Sequence, residues 1–308
     1  MTPRIELLDL RYQGHPGLIA SFLVFGSDGH VLVESGPGST LPALVAGLAS
    51  HGLAPADIDT VFLTHIHFDH AGSAGWWAQQ GARVCVHERG APHLIEPSRL
   101  IGSARRIYGA LMETLWGDIL PAPEERVRAT VDGDVVEAAG LEFRAIYTPG
   151  HAGHHHAWRV GDVAFVGDAL GIRGGAIPWL DLPAPPPEFD LELWQESLGK
   201  LRAEGLGTIY RTHFGPRSDV AEEIDRVSEL VESAAAKVRS MLEAGLERDE
   251  MIARYGEWMN ERARREGCDP AAAVGEEKLN PRDMSVDGMA RYWRKKAEGR
   301  ASRSAAPA

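Results

Sequence analysis

The run Thr64-His65-Ile66-His67-Phe68-Asp69-His70-Ala71-Gly72 packs three imidazoles and a carboxylate into six residues. It follows Ile58 to Leu63, an apolar stretch that reads as a buried strand. In extended geometry, side chains two residues apart project to the same side. His65 and His67 can therefore face one point, with Asp69 and His70 delivered as the chain turns into a helix. Imidazole and carboxylate are ligands suited to zinc, iron or manganese. For a lone histidine a solvated polar loop is the usual reading. Four such groups at a strand end argue for a metal centre instead.

Three later positions extend the set. His151 ends Thr148-Pro149-Gly150-His151 after the strand Phe143 to Tyr147. Asp168 ends Phe165-Val166-Gly167-Asp168, and His213 lies in Tyr210-Arg211-Thr212-His213-Phe214-Gly215-Pro216. Each leaves a loop at the end of an apolar strand, and in layered α/β folds such loops converge on one edge. Any one of these histidines taken singly reads better as structural; the recurrence favours a shared site.

The elements that must position them follow from periodicity. Strands are expected near 4–10, 19–25, 30–34, 58–63, 83–86, 126–130, 134–138, 141–147, 156–160, 163–166 and 207–210. Helices are expected near 41–49, 73–80, 97–118 and 191–203, with a proline-rich connector at 182–188. Beyond Pro216 only helices remain, near 219–244, 248–266 and 284–297. The chain thus divides into a mixed α/β catalytic body at 1–216, a helical C-terminal region at 217–300 and a tail at 301–308 whose small polar residues suggest disorder. The 97–118 segment is placed to lie over the site as a lid.

The 308 residues are 44% hydrophobic and 25% charged, with a net charge of −12. That composition excludes collagen-like, disordered and coiled-coil classes. No apolar run approaches the roughly 20 residues that span a bilayer, and Glu6 and Asp9 fall where a signal peptide needs an apolar core. Cys85 and Cys268 are too few for a disulfide framework and suit a reducing, cytoplasmic setting. The acidic balance argues against nucleic acid as a partner. Neither cysteine is a convincing nucleophile, since Cys85 falls inside a strand and Cys268 in a loop of the helical region.

The Thr-His-Ile-His-Phe-Asp-His-Ala-Gly run, with Thr-Pro-Gly-His, Gly-Asp and Thr-His-Phe-Gly-Pro downstream, resembles the metallo-β-lactamase superfamily. Within it, the match is to the hydroxyacylglutathione hydrolase (glyoxalase II)-like branch. The resemblance covers residues 30–216 and implies a four-layer αββα sandwich with two divalent metal ions at one edge. Zinc is the first expectation, with manganese or iron(II) as alternatives. Carried over by position, His65, His67 and His151 would hold one metal and Asp69, His70 and His213 the other. Asp168 would bridge them, and Asp69 and Asp168 would be the catalytic carboxylates. Two metals about 3.5–4 Å apart can share a water and lower its pKa towards neutrality. The implied activity is hydrolysis of a small ester, thioester or lactone by a metal-bridging hydroxide. The alternatives are a mononuclear-iron persulfide dioxygenase and a small-molecule phosphodiesterase.

One motif departs from the pattern. Where the family carries an aspartate, this chain has Glu34 in Glu34-Ser35-Gly36-Pro37-Gly38. Glutamate keeps the acceptor chemistry that orients metal ligands but has a longer reach. His155, within His154-His155-His156, is a candidate for substrate contact or for steadying the site, with a plain strand-start role equally open. Trp179 could wall a pocket or pack on the proline run. Arg291-Tyr292-Trp293-Arg294-Lys295-Lys296 is locally basic and could complement a helix end, an anionic substrate or a second subunit in a homodimer.

Overall fold

Alternation along β2 (Ala20–Phe25) shows how the layers arise. Ala20, Phe22 and Val24 enter one core and Leu23 enters another, as a two-residue period requires. In β3 (His30–Val33), Val31 and Val33 join the first core and Leu32 the second. The computed structural model describes residues 3–174, 177–272 and 279–304. Within them, two six-stranded sheets share the first core between their facing sides.

The first sheet runs β1 (Arg4–Asp9), β2, β3, β4 (Ile58–Phe62), β5 (Arg83–His87) and β6 (Val127–Thr130) in chain order. Pairing is antiparallel as far as β3 and parallel from there to β6. The second sheet holds β7 (Val135–Ala138), β8 (Leu141–Tyr147), β9 (His156–Val160) and β10 (Val163–Phe165) in sequence. A hairpin of β11 (Ile172–Gly174) and β12 (Ile177–Asp181) then intervenes. The second sheet is completed by β13 (Thr208–Arg211), parallel to β10, and β14 (Gly215–Arg217).

Between the sheets Phe62 stacks on Phe143 at 4.2 Å, and Phe22 meets Phe165 at 5.3 Å. Leu44 and Leu48 of the helix Leu41–Ser50, together with Trp77, cover the outside of the first sheet. Trp194 and Leu198 of the helix Leu191–Ala203, with Val227 and Leu230 of the helix Val220–Glu243, cover the second. The result is the expected αββα sandwich.

Several details differ from the sequence expectation. The 97–118 helix is broken: Ser98–Tyr108 stops at Gly109, whose φ of 52° leaves the right-handed helix, and a short helix Met112–Trp116 follows. The β11–β12 hairpin has too few residues to register as strands. The helices beyond 216 are built into the body, because Tyr255, Met259 and Met289 share one apolar core with Ile146 and Ile209 of the second sheet. The expected tail is helical as far as Ser304, the end of the last helix Arg282–Ser304; residues 305–308 lie outside the described residues. Among the described residues no helix is long and apolar enough to cross a membrane.

Candidate metal centre

All seven residues singled out by the motifs lie in one cluster at the strand ends. The loop after β4 carries His65 and His67, and a single turn Phe68–Ala71 carries Asp69 and His70. His151 follows β8, Asp168 sits in the turn Gly167–Leu170 after β10, and His213 lies between β13 and β14. Two glycines make the close approach feasible. A Cβ on Gly150 would stand 2.4 Å from the Trp194 Cα, and one on Gly167 would stand 2.5 Å from the Thr64 hydroxyl.

The cluster holds three overlapping candidate ligand groups, of which two triads share no residue and the third, His65, His70 and Asp168, lies across them. In the first, His65 Nε2 lies 3.0 Å from His67 Nδ1, and His151 Nε2 lies 3.2 and 2.9 Å from the same two atoms. A proton on any one nitrogen can serve only one neighbour, so lone pairs confront each other across this triangle. A cation satisfies all three, and tetrahedral ligands on zinc stand roughly 3.3 Å apart. In the second triad, His213 Nε2 is 3.2 Å from His70 Nε2 and 3.3 Å from Asp69 Oδ2. Asp168 reaches both: Oδ1 lies 3.2 Å from His70 Nε2, and Oδ2 lies 3.3 Å from His151 Nε2. Asp168 Oδ1 is buried without a hydrogen-bond donor. The donor set fits divalent cations.

The opposite edge of most of these rings is fixed by an acceptor. His151 Nδ1 donates to the Pro183 carbonyl and His213 Nδ1 to that of Leu18, both at 2.7 Å. His70 Nδ1 donates to Glu34 Oε1 at 3.1 Å. Such partners fix the ring orientation and direct Nε2 at the site. Glu34 is fully buried and has φ 66°, in the left-handed region. Its Oε1 also accepts from the hydroxyls of Thr64 at 2.5 Å and Thr212 at 3.1 Å, and its Oε2 accepts from the Thr64 N–H at 3.3 Å. The added methylene thus lets one carboxylate gather the loops bearing His65, His70 and His213. Thr64 and Thr212 escaped the sequence reading, although the repeated Thr-His dipeptide was the signal for them.

Electrostatics divide the imidazoles. Burial, then neighbouring imidazoles, push His65 well below its usual range, and burial takes His67 down to about 3. Burial also disfavours the His70 cation, yet Asp168, Asp69 and Glu34 outweigh it and hold that imidazole well above normal. Asp168 is penalised by burial too, but His70, His151 and His213 keep it well below the usual carboxylate range. Cys85 is no nucleophile: it is buried in β5, and burial pushes its thiol up to about 12.

The candidates around the centre sort differently. His155 is buried behind it, with Nδ1 2.8 Å from the Thr148 hydroxyl and Nε2 accepting from the Asp168 N–H at 3.2 Å. It steadies the Asp168 turn and does not face the cleft. Trp179, considered as a pocket wall, is instead 1% exposed in the apolar core with Ile172. The walls come from elsewhere. A cleft of about 500 Å³ opens over the triads, lined by Leu100, Ile107 and Tyr108 of the helix Ser98–Tyr108 and by Pro185, Pro186 and Pro187 of the connector. Met284 and Arg291 of the last helix complete it.

A model of the metallo-beta-lactamase superfamily matches residues 15–213, about two thirds of the chain and all seven clustered residues. The chain belongs to the metallo-beta-lactamase superfamily. A metallo-beta-lactamase fold-containing protein of Sulfurisphaera tokodaii is 30% identical over 46% of this chain and 54% of its own length. An atrochrysone carboxyl ACP thioesterase of Aspergillus fumigatus is 26% identical over 73% of this chain and 64% of its own. A hydroxyacylglutathione hydrolase of Xylella fastidiosa is 29% identical over 46% of this chain and 42% of its own. The matches therefore span roughly half the length of these curated relatives. A metallo-beta-lactamase family protein from Thermus thermophilus superposes with a TM-score of 0.70 over 95% of this chain and 94% of its own, at 23% identity, and shares the fold.

Proposed function

We propose that this superfamily member is a dinuclear metal-dependent hydrolase of small thioesters or esters. The observation that carries the reading is the pair of ligand triads joined through the two oxygens of Asp168, at the floor of an apolar cleft. Divalent ions held there, zinc foremost, supply an acidified water and a Lewis acid for a carbonyl oxygen. The names of two relatives, a thioesterase and a hydroxyacylglutathione hydrolase, lend support to a thioester.

The protein's own residues do the remainder. His65 and His67 present neutral nitrogens, and Asp69 and Asp168 contribute negative charge that offsets the cations. Asp69 is the more open of the two carboxylates, 15% exposed against 3% for Asp168, and it lines the cleft. It is therefore the better placed to exchange a proton with water at the floor. Apolar walls thin out competing solvent and strengthen charge interactions at the reacting centre.

Metal analysis of the purified protein, followed by a panel of thioesters, esters, lactones and phosphodiesters, tests the reading. Two zinc or manganese ions per chain and thioester or ester hydrolysis that is lost on chelation are expected. One iron per chain with oxygen consumption would replace it with the dioxygenase. Turnover of phosphodiesters alone would replace it with the phosphodiesterase.

A further inference from the structure

Arg291 lines the cleft, and among the described residues nothing neutralises it. The last helix points Met284 into the cleft and, seven residues on and so on the same face, Arg291. The carboxylates nearest on that helix are taken. Arg248 Nη2 holds Asp283 Oδ2 at 3.2 Å and Asp287 Oδ2 at 2.8 Å. On the following turn Tyr292 and Lys296 both engage Glu192. Arg291 itself has no hydrogen bond, ion pair or ring contact among the described residues. The acidic groups in the cleft are also committed: Asp69 and Asp168 to the triads, Glu188 to the Gly153 N–H at 3.0 Å and His154 Nε2 at 3.3 Å. Arg291 is exposed at the mouth of the cleft, so its guanidinium is open to an incoming ligand.

Most of the remaining wall is apolar or aromatic, with His93, Ser103 and Asn280 among its polar groups. Trp116 meets Tyr108 at 5.2 Å and Phe68 at 5.9 Å, and Leu100 and Ile107 continue the surface. Pockets of this kind take apolar bodies and read orientation from a few polar groups. A guanidinium in such a place recognises carboxylate or phosphate.

We propose that the cleft takes an apolar, aryl or branched acyl compound bearing an anionic group, and that Arg291 receives that anion. The inference deepens the hydrolase reading and rests on it for the reaction, though not for binding. The anion can belong to the acyl half or to the thiol half of a thioester.

Three thioesters of one phenylalkanoyl body separate these cases: one neutral, one with a distal carboxylate on the acyl group, and one with a carboxylate on the thiol. In the native protein one anionic thioester should have a KM about tenfold below the neutral one, the scale of a charge-assisted contact. Arg291→Gln should erase that preference through KM, and Arg291→Lys should retain most of it. Equal KM values for charged and neutral thioesters in the native protein, or an equal loss on all three in Arg291→Gln, would overturn the proposal. If the thioesters do not turn over, the matching esters replace them, and if neither turns over the hydrolase reading fails by itself. Calorimetric binding of a phenylalkyl sulfonate against its neutral methyl sulfone then decides the inference. Preference for the sulfonate that Arg291→Gln removes supports it, and indifference overturns it.

Discussion

Replacing Glu34 by alanine tests the architecture of the centre most directly. The substitution keeps a Cβ at φ 66°, so the backbone strain is unchanged and only the carboxylate is removed. Four donors lose their acceptor: the hydroxyls of Thr64 and Thr212, the Thr64 N–H and His70 Nδ1. The two hydroxyls can rotate, and that of Thr64 already lies 3.0 Å from His65 Nδ1. The backbone N–H and the imidazole N–H cannot, and each buried orphan costs about 1–3 kcal/mol. Metal-free protein should therefore lose about 2–6 kcal/mol in urea unfolding. Metal affinity, measured by competition with a chromophoric chelator, should fall about 10–100-fold as His70 loses its orienting partner. Glu34→Gly removes the same carboxylate but relieves the left-handed strain, and should recover about 1 kcal/mol of the stability without recovering the affinity. Native affinity and native unfolding in Glu34→Ala would refute the reasoning.

Asp168→Asn removes the carboxylate shared by the two triads and should abolish hydrolysis; near-normal turnover in metal-replete protein would count against the dinuclear mechanism. Gly150→Ala places a Cβ 2.4 Å from the Trp194 backbone, so His151 must shift and metal stoichiometry, read by elemental analysis, should drop. His156 is buried with both ring nitrogens unpartnered, and burial lowers its pKa to about 3. Its unfolded value is about 6.5, so between those limits the unfolded chain binds the extra proton. This contribution is absent above pH 6.5 and costs about 1.4 kcal/mol per unit as pH falls towards 3. His156→Phe should shallow the acid slope of unfolding free energy by one proton; identical slopes would refute that.

Local pattern made most of the sandwich legible, because buried strands alternate and their loops end at the cluster. The Leu191–Ala203 helix and strands 141–147 and 156–160 fall where periodicity puts them. What escaped depends on partners far along the chain. The conformation of Glu34 is set by donors 30, 36 and 178 residues away, and no local signal announces a left-handed glutamate. Trp179 was ambiguous because an aromatic beside prolines suits a wall or a core equally. The 182–188 connector read as mere linkage, yet Pro183 fixes His151 and Pro185 to Pro187 face the cleft. Gly109 falls inside the segment 97–118 that periodicity marks as one helix, so only its φ reveals the break in the covering helix.

The division between chemistry and selection follows from where these parts lie. All seven clustered residues fall inside the segment that matches the superfamily model. Met284 and Arg291 fall outside it, on a helix that packs into the second sheet's core through Val286, Met289 and Ala290. That helix is anchored further by the Trp293 N–H on the Ala235 carbonyl at 2.8 Å. Its cleft-facing side is therefore anchored to the sandwich. Substrate preference should accordingly respond to changes at Arg291 and Met284 that leave metal content intact, whereas changes at Glu34 should act on metal content first.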